Sequence, residues 1–171
     1  DGDGGPSVDG TSSVSGTLSS SDLDNAATST WAIEGSSSTT YGSINIDANT
    51  GEWTYTLNND SPETQALEEG QSVTESFIAR VTDDNGAYVD QTITVTVDGT
   101  NDAPVITSDA SDAAGTVIEA GHNDDGSSVD GTSSVSGTLS SSDVDNTDTS
   151  TWSIEGSPST TYGSINIDAN T

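Results

Sequence analysis

An internal repeat constrains this chain more than any other feature of its sequence. The segment Gly5–Thr50 recurs as Gly126–Thr171, with about 40 of 46 positions identical at an offset of 121 residues. Self-similarity at a fixed spacing is typical of proteins that carry similar structural units along one chain. The 171 residues span little more than one period, so we expect them to contain parts of two consecutive repeats.

Apolar and polar residues alternate in short runs along the whole period. Alternation with a period of two predicts strands that are buried on one face, and the clearest run is Thr92–Val97. The Asp-Asp-Asn-Gly sequence at Asp83–Gly86 predicts a tight hairpin turn, and Asp47–Gly51 predicts another. The predicted strands cover residues 12–20, 29–34, 41–47, 52–57, 72–81 and 87–97. Short strands separated by regular turn signals predict an all-β sandwich.

A short helical turn is predicted between the fourth and fifth strands. Ser61 can cap it, Pro62 suits a first helical position, and Glu63 suits the helix dipole. Gly70 is expected to end this crossover, with Leu67 as its apolar anchor.

The charge balance is extreme. The chain has 29 acidic residues against one arginine, Arg80, and no lysine, which gives a formal charge of −28. Such a surface repels nucleic acid and anionic membranes, and no apolar run is long enough for direct membrane insertion. We therefore expect divalent cations or salt to offset the repulsion, although the acids could serve solubility alone.

Several motifs in a fixed order resemble a known family. The linker Asp98–Pro104 (DGTNDAP) resembles the calcium-binding linker of cadherin-like domains. Together with Tyr41–Ile44, Gly51–Leu57, Gln65–Leu67, Thr92–Thr96, Ser136–Leu139 and Ser142–Asp145, it is similar to the VCBS repeat of large secreted RTX-type bacterial adhesins. The resemblance covers nearly the whole chain.

The resemblance implies tandem immunoglobulin-like (cadherin-like) sandwiches. Residues 1–100 would be a first repeat that lacks its first strand, and residues 101–171 would be the incomplete N-terminal part of the next. The Ser- and Gly-rich stretch 120–134 is expected to be a surface loop. The location implied is extracellular, at the bacterial cell surface, with roles in cell adhesion or biofilm formation.

Carboxylates close together in loops suggest a calcium site, because Ca²⁺ prefers six to eight hard oxygen ligands. The sandwich topology predicts that one loop faces the linker between repeats. The candidate ligands there are Asp98, Asn101, Asp102, Asp143, Asp145 and Asp148.

A second candidate set repeats this pattern in the first copy. Asp22 and Asp24 are expected near the hairpin residues Asp83 and Asp84, and Glu119 resembles an acidic residue of the family at the end of the first strand. The alternative is that Asp, Asn and Gly at these positions only form turns.

Catalysis finds little support in the sequence, so we expect no enzyme. No cysteine or lysine is available to pair with the single histidine, His122, and no nucleophile elbow is present. The primary interpretation is a calcium-stabilised spacer whose partners are neighbouring repeats, with other domains binding cell-surface or matrix ligands. The alternative is a carbohydrate- or protein-binding module, with Trp31, Trp53, Tyr41 and Tyr55 as a stacking platform in place of core residues.

Overall fold

The computed structural model describes residues 10–23, 28–145 and 149–170, and these form two compact units. The first unit contains the described residues up to Asp102 together with Val144 and Asp145. The second contains the described residues within Ala103–Asp143 and Asp148–Thr171. The boundary that the sequence predicts, between residues 100 and 101, lies two residues before this division.

The first unit consists of two antiparallel three-stranded sheets. One sheet has the order β1-β4-β3 and the other β2-β5-β6. The strands are β1 (Ser13–Thr17), β2 (Ser29–Glu34), β3 (Gly42–Ile46), β4 (Glu52–Leu57), β5 (Ser72–Asp83) and β6 (Tyr88–Asp98). The two sheets enclose a shared core, so the all-β, immunoglobulin-like sandwich predicted from the sequence is confirmed.

The core is formed by the alternate residues that each strand turns inward. On β6 the inward residues are Ile93, Val95 and Val97, while the threonines between them are exposed. The other buried apolar residues come from both sheets and the crossover: Trp31, Ile44, Tyr55, Leu67, Phe77 and Ala79. In β2 to β6 the period-two alternation of the sequence thus gives each strand one inward face with buried residues.

The crossover from β4 to β5 contains the short helix α1 (Pro62–Gln65). The side chain of Ser61 caps it by accepting a hydrogen bond of 3.1 Å from the Thr64 backbone N–H, and Pro62 occupies the first turn. The helix ends at Gln65 rather than running on to Gly70, whose φ of +85° turns the chain into β5. Leu67 is buried, as an apolar anchor should be.

The second unit has two small antiparallel pairs. The strand β7 (Val105–Ile106) pairs with β10 (Ser141–Ser142), and β8 (Gly121–His122) pairs with β9 (Ser128–Val129). The β8–β9 hairpin lies inside the stretch predicted as a surface loop. Almost all of that stretch is exposed, as expected, but its Asn-Asp-Asp-Gly sequence forms a turn with Gly126 at a φ of +82°.

Local contacts of the first copy recur in the second copy of the repeat. Trp31 N–H donates to the Ala48 carbonyl at 2.9 Å, and its counterpart Trp152 N–H donates to that of Ala169 at 3.1 Å. Burial does not recur: Ile44 is 4% exposed, whereas its counterpart Ile165 is 61% exposed.

Candidate metal-binding site

The linker after β6, Asp98–Pro104, makes a contact with Asp145, which belongs to the acidic loop that the sequence predicts to face the linker. The carboxylate Oδ2 of Asp145 accepts a hydrogen bond of 2.9 Å from the backbone N–H of Asp102. Asp145 is only 5% exposed. A carboxylate buried to this degree requires hydrogen bonds or a cation, and the Asp102 N–H supplies one such bond.

Two other linker residues make hydrogen bonds of their own. Asp98 stands opposite Ser72 at the end of the β5–β6 pair, and its Oδ1 accepts a 2.6 Å hydrogen bond from the Ser72 hydroxyl. Asn101 donates its side-chain amide to the Asp102 carbonyl. These bonds order the linker and leave further oxygens on Asp98 and Asn101 as possible ligands.

Asp143, Asp148 and Glu119 complete the candidates predicted for this end of the sandwich. Asp143 is half-buried and belongs to the second unit. Asp148 lies outside the described residues. Glu119 is exposed and follows Ile118, which forms an isolated bridge with Thr132.

Asp83 and Asp84 occupy the β5–β6 turn. Asp83 Oδ1 accepts hydrogen bonds from the backbone N–H groups of Asn85 at 2.9 Å and Ala87 at 2.8 Å. Asp84 Oδ1 accepts a long bond of 3.4 Å from the Asn85 side chain. Asp83 therefore stabilises its own turn by accepting backbone hydrogen bonds, which supports the turn-forming alternative for this residue.

The loop that carries Asp22 begins at the same end of the sandwich as this turn. The Ser20 and Ser29 hydroxyls are 3.2 Å apart, and Ser29 stands opposite Asp83 in the β2–β5 pair. Asp24 lies outside the described residues.

Carboxylates do not form a complete metal cluster within the described ranges. No three His, Cys, Asp or Glu side chains of residues 10–23, 28–145 and 149–170 are gathered closely enough to hold an ion. The donor chemistry suits calcium, because all candidates offer hard oxygens and Asp102 and Asp145 are adjacent. Further oxygens would have to approach this pair to complete a coordination sphere.

The aromatic residues proposed as an alternative sugar platform lie in or against the core. Trp31 and Tyr55 are buried, and Tyr41 and Trp53 pack against the same cluster. Tyr55 and Phe77 have ring centroids 5.9 Å apart across the sandwich. The core interpretation of these four residues is therefore confirmed.

Arg80 makes ion pairs with two neighbouring acids. Its guanidinium donates to both carboxylate oxygens of Asp90, at 2.7 and 2.9 Å, and lies 3.2 Å from Glu34. Its Cζ also sits 3.8 Å from the ring centroid of Tyr88. The hydrogen bond from Arg80 lowers the pKa of the Asp90 carboxyl below its ordinary value.

The sequence analysis did not identify Glu75 as a buried acid. Glu75, inside β5, accepts a 2.6 Å hydrogen bond from the Tyr55 hydroxyl and a weaker one of 3.3 Å from the Tyr41 backbone N–H. Burial raises the pKa of the Tyr55 hydroxyl. The hydrogen bond to Glu75 and the negative charge of Glu75 raise it further. The only sequence signal for the burial of Glu75 is its place among the inward positions of an alternating strand.

Comparison with known proteins identifies the family. A family model described as a bacterial cadherin-like domain matches residues 2–99, whereas a sequence comparison with curated proteins gives no match. Neither comparison singles out VCBS repeats or RTX adhesins. In the parts of the chain that the structure describes, no helix has the length and apolar character needed to span a membrane.

The matched family fits the sandwich described above. Cadherin-like domains have a structural and adhesive fold that is not typically catalytic, and bacterial cadherin-like domains are of an extracellular type. The match covers more than half of the 171 residues. The chain belongs to the bacterial cadherin-like domain family.

Proposed function

We propose that this chain is a spacer segment of a bacterial surface or secreted adhesin, non-catalytic and stabilised by calcium. In the intact protein, neighbouring repeats would be its first partners, and other domains would bind cell-surface or matrix ligands during adhesion or biofilm formation. The VCBS-like and RTX-type character of that adhesin is part of the proposal.

The observation that carries the proposal is the contact between Asp102 and the buried carboxylate of Asp145. Two acidic segments, 43 residues apart in the sequence, approach within hydrogen-bond distance. The bond from the Asp102 N–H to the Asp145 carboxylate is itself favourable, but it holds two acidic segments together in a chain of formal charge −28. Carboxylates held near one another repel unless cations offset their charge. Calcium is the cation whose ligand preference matches carboxylate, amide and carbonyl oxygens.

The ligands we propose for this site are Asp98, Asn101, Asp102, Asp143, Asp145 and Asp148. A second site would use Asp22, Asp24, Asp83 and Asp84, and Glu119 is a peripheral candidate. A bound ion would supply positive charge and fix the side chains around it. By tying the linker to the acidic loop, it would reduce the number of conformations open to the linker.

Calcium titration followed by calorimetry and thermal melting tests the proposal. We expect calcium to raise the melting temperature more than magnesium does at equal ionic strength, since Mg²⁺ retains its water shell more strongly. The variant Asp145→Asn should weaken calcium binding at least tenfold. Asp84→Asn tests the second site in the same assay.

The matched control is Asp60→Asn, which removes one negative charge from an exposed position. It should leave calcium binding unchanged. Equal stabilisation by calcium and magnesium, or equal binding by the Asp145 and Asp60 variants, would show that calcium acts only through ionic strength.

A further inference from the structure

The turn between β5 and β6 contains a dipeptide that occurs nowhere else in the sequence. Asn85 is the only asparagine of the chain that is followed by glycine. Both residues are exposed at the tip of the hairpin. A Cβ built at Gly86 would meet no atom within 4 Å. The Asn85–Gly86 peptide bond is therefore accessible to water and unhindered by neighbouring side chains.

The two groups that flank this peptide bond are weakly held. The Asn85 side-chain amide donates a long hydrogen bond of 3.4 Å to Asp84. The Gly86 N–H donates to the Asp83 carbonyl at 3.2 Å, at the long end of the range for such bonds. Exposed turns open locally at little cost while the strands behind them stay paired. Opening of the turn tip is thus enough to release both groups.

Asn49 is a close structural match for Asn85 in the same unit. Its backbone N–H donates to Asp47 Oδ1 at 2.9 Å, and the Asn85 N–H donates to Asp83 Oδ1 at the same distance. Both asparagines are exposed. They differ in the residue that follows, which is β-branched Thr50 in one case and a glycine without a Cβ in the other. The backbone nitrogen after Asn85 is therefore the less shielded of the two.

The β8–β9 hairpin has an aspartate at the position that corresponds to Asn85. Its turn, Asn123–Gly126, aligns with Asp83–Gly86. In both turns the glycine N–H donates to the carbonyl three residues earlier, at 2.9 and 3.2 Å, and the glycine φ is +82° and +90°. Asp125 Oδ1 accepts a 2.9 Å hydrogen bond from the Ser127 N–H. The same type of turn therefore forms with a carboxylate at this position.

We propose that Asn85 is a site of spontaneous deamidation, a covalent modification in which water is the co-reactant. The Gly86 backbone nitrogen attacks the side-chain carbonyl carbon of Asn85, forms a C–N bond and gives up its proton. The bond from that carbon to the amide nitrogen breaks, and ammonia leaves with the proton. Water then opens the cyclic imide at either of its two carbonyls, which gives aspartate or isoaspartate at position 85. No group is oxidised or reduced.

The two products fit the hairpin differently. Aspartate leaves the backbone unchanged, and the turn Asn123–Gly126 shows how such a carboxylate is accommodated. Isoaspartate adds one methylene to the backbone inside the loop that is closed by the 2.9 Å hydrogen bond from the Asp83 N–H to the Ala87 carbonyl. Because loop length sets the register of a hairpin, the isoaspartate form should melt at a lower temperature.

The aspartate form carries one more negative charge beside Asp83 and Asp84. A consequence for calcium rests on the proposed function, in which these two residues are ligands of the second site. Conversion adds hard carboxylate oxygens next to them, so calcium affinity should rise as the protein ages. The reaction itself needs no metal and is independent of the calcium proposal.

Ageing of the whole chain in chelator at mildly alkaline pH tests the modification. After denaturation, trypsin cuts behind Arg80 and releases Val81–Thr171. The mass of this fragment should rise by the difference between a hydroxyl and an amino group, and fragmentation should place the change at Asn85. Asn49 is the matched internal control and should convert at least tenfold more slowly. Ammonia release should fall in Asn85→Gln, since a longer side chain closes its ring more slowly.

The variant Asn85→Asp reproduces the aspartate product directly. It should melt with the natural chain and bind calcium more tightly, whereas unchanged calcium binding would overturn the consequence for calcium and leave the modification standing. Three outcomes would overturn the modification itself: an Asn85 amide that persists in the folded chain while it is lost in urea, conversion of Asn49 at the same rate, or undiminished ammonia release from Asn85→Gln. A lower melting temperature of Asn85→Asp would show that the turn does not accommodate the product.

Discussion

The contact between Glu75 and Tyr55 shows how a single polar pair ties the two sheets together. Glu75 belongs to β5 and Tyr55 to β4, which lie in different sheets, and both are buried. A buried carboxylate is tolerated only where hydrogen bonds replace water. Tyr55 provides the shorter of the two bonds that Glu75 accepts, so the ring fills the core and its hydroxyl satisfies the acid.

Replacing Tyr55 by phenylalanine should destabilise the first unit. The ring volume is retained, but Glu75 loses its strongest donor while remaining buried, which costs about 1–3 kcal/mol. Chemical denaturation measures this loss. Tyr162→Phe is the control, because Tyr162 is almost fully exposed in the second unit, and it should change stability by less than about 0.5 kcal/mol.

Because the pKa of Tyr55 is raised, the stability lost in Tyr55→Phe should depend on pH. Folding favours the protonated hydroxyl, so its contribution is fully present below the ordinary tyrosine pKa of about 10 and is lost as the pH rises through the folded value. The stability difference between the natural chain and Tyr55→Phe should therefore narrow above about pH 10. A difference that is constant up to about pH 11, one unit above that ordinary value, would contradict the role of the protonated hydroxyl.

At the scale of the elements, strands with strong alternation could be predicted closely. The bounds predicted for β2 and β4 agree with the structure, and those for β5 and β6 differ by one or two residues. Alternation of apolar and polar residues arises when one face of a strand is buried, so strands with this pattern can be predicted well. The β8–β9 hairpin was missed because its strands have two residues each, too few for any period to be visible.

The candidate metal site was harder to predict than the fold. The approach of the linker to the acidic loop followed from the sandwich topology, and Asp102 does contact Asp145. The role of Asp83 did not follow, because an Asp in a turn can serve either as a ligand or as an acceptor for its own backbone. Oδ1 of Asp83 accepts hydrogen bonds from Asn85 and Ala87, which shows the second use, and its use as a ligand stays part of the calcium proposal.

The β5–β6 hairpin depends on a left-handed residue in its turn. Gly86 has a φ of +90°, a conformation that costs an L-residue about 1–2 kcal/mol. Gly86→Ala should lower the free energy of unfolding by about that amount. The turn is open on its outer side, so no steric clash adds to this cost.

Equilibrium unfolding in denaturant checks this value. Gly121→Ala is a suitable control, since Gly121 is equally open and does not have a positive φ. A loss as large for Gly121→Ala as for Gly86→Ala would show that the left-handed turn is not the cause.

For the whole molecule, the dominant force against compaction is its own charge. With 29 acids and one arginine, repulsion acts over the full length of a chain that has few apolar residues to offset it. Raising the ionic strength from about 0.01 to 0.1 M shortens the screening length from about 30 to 10 Å. The melting temperature should therefore rise over this range even without divalent ions.

Differential scanning calorimetry in sodium chloride with chelator measures this effect. Salt is varied because it screens the carboxylates without changing their number. The control is the same series at about pH 3, where most carboxyls are protonated and the salt dependence should largely vanish. A melting temperature insensitive to salt at neutral pH would contradict the importance of self-repulsion.

The placement of Arg80 has a consequence for digestion by proteases. Enzymes of trypsin type cut after arginine or lysine, and this chain offers them only the bond after residue 80. That bond lies in β5, hydrogen-bonded between β2 and β6, with the side chain held by Asp90 and Glu34. Cleavage there requires the central strand to open, so its rate reports the unfolded population of the first unit. In the presence of such proteases, the first unit would thus stay intact for as long as its sandwich stays closed.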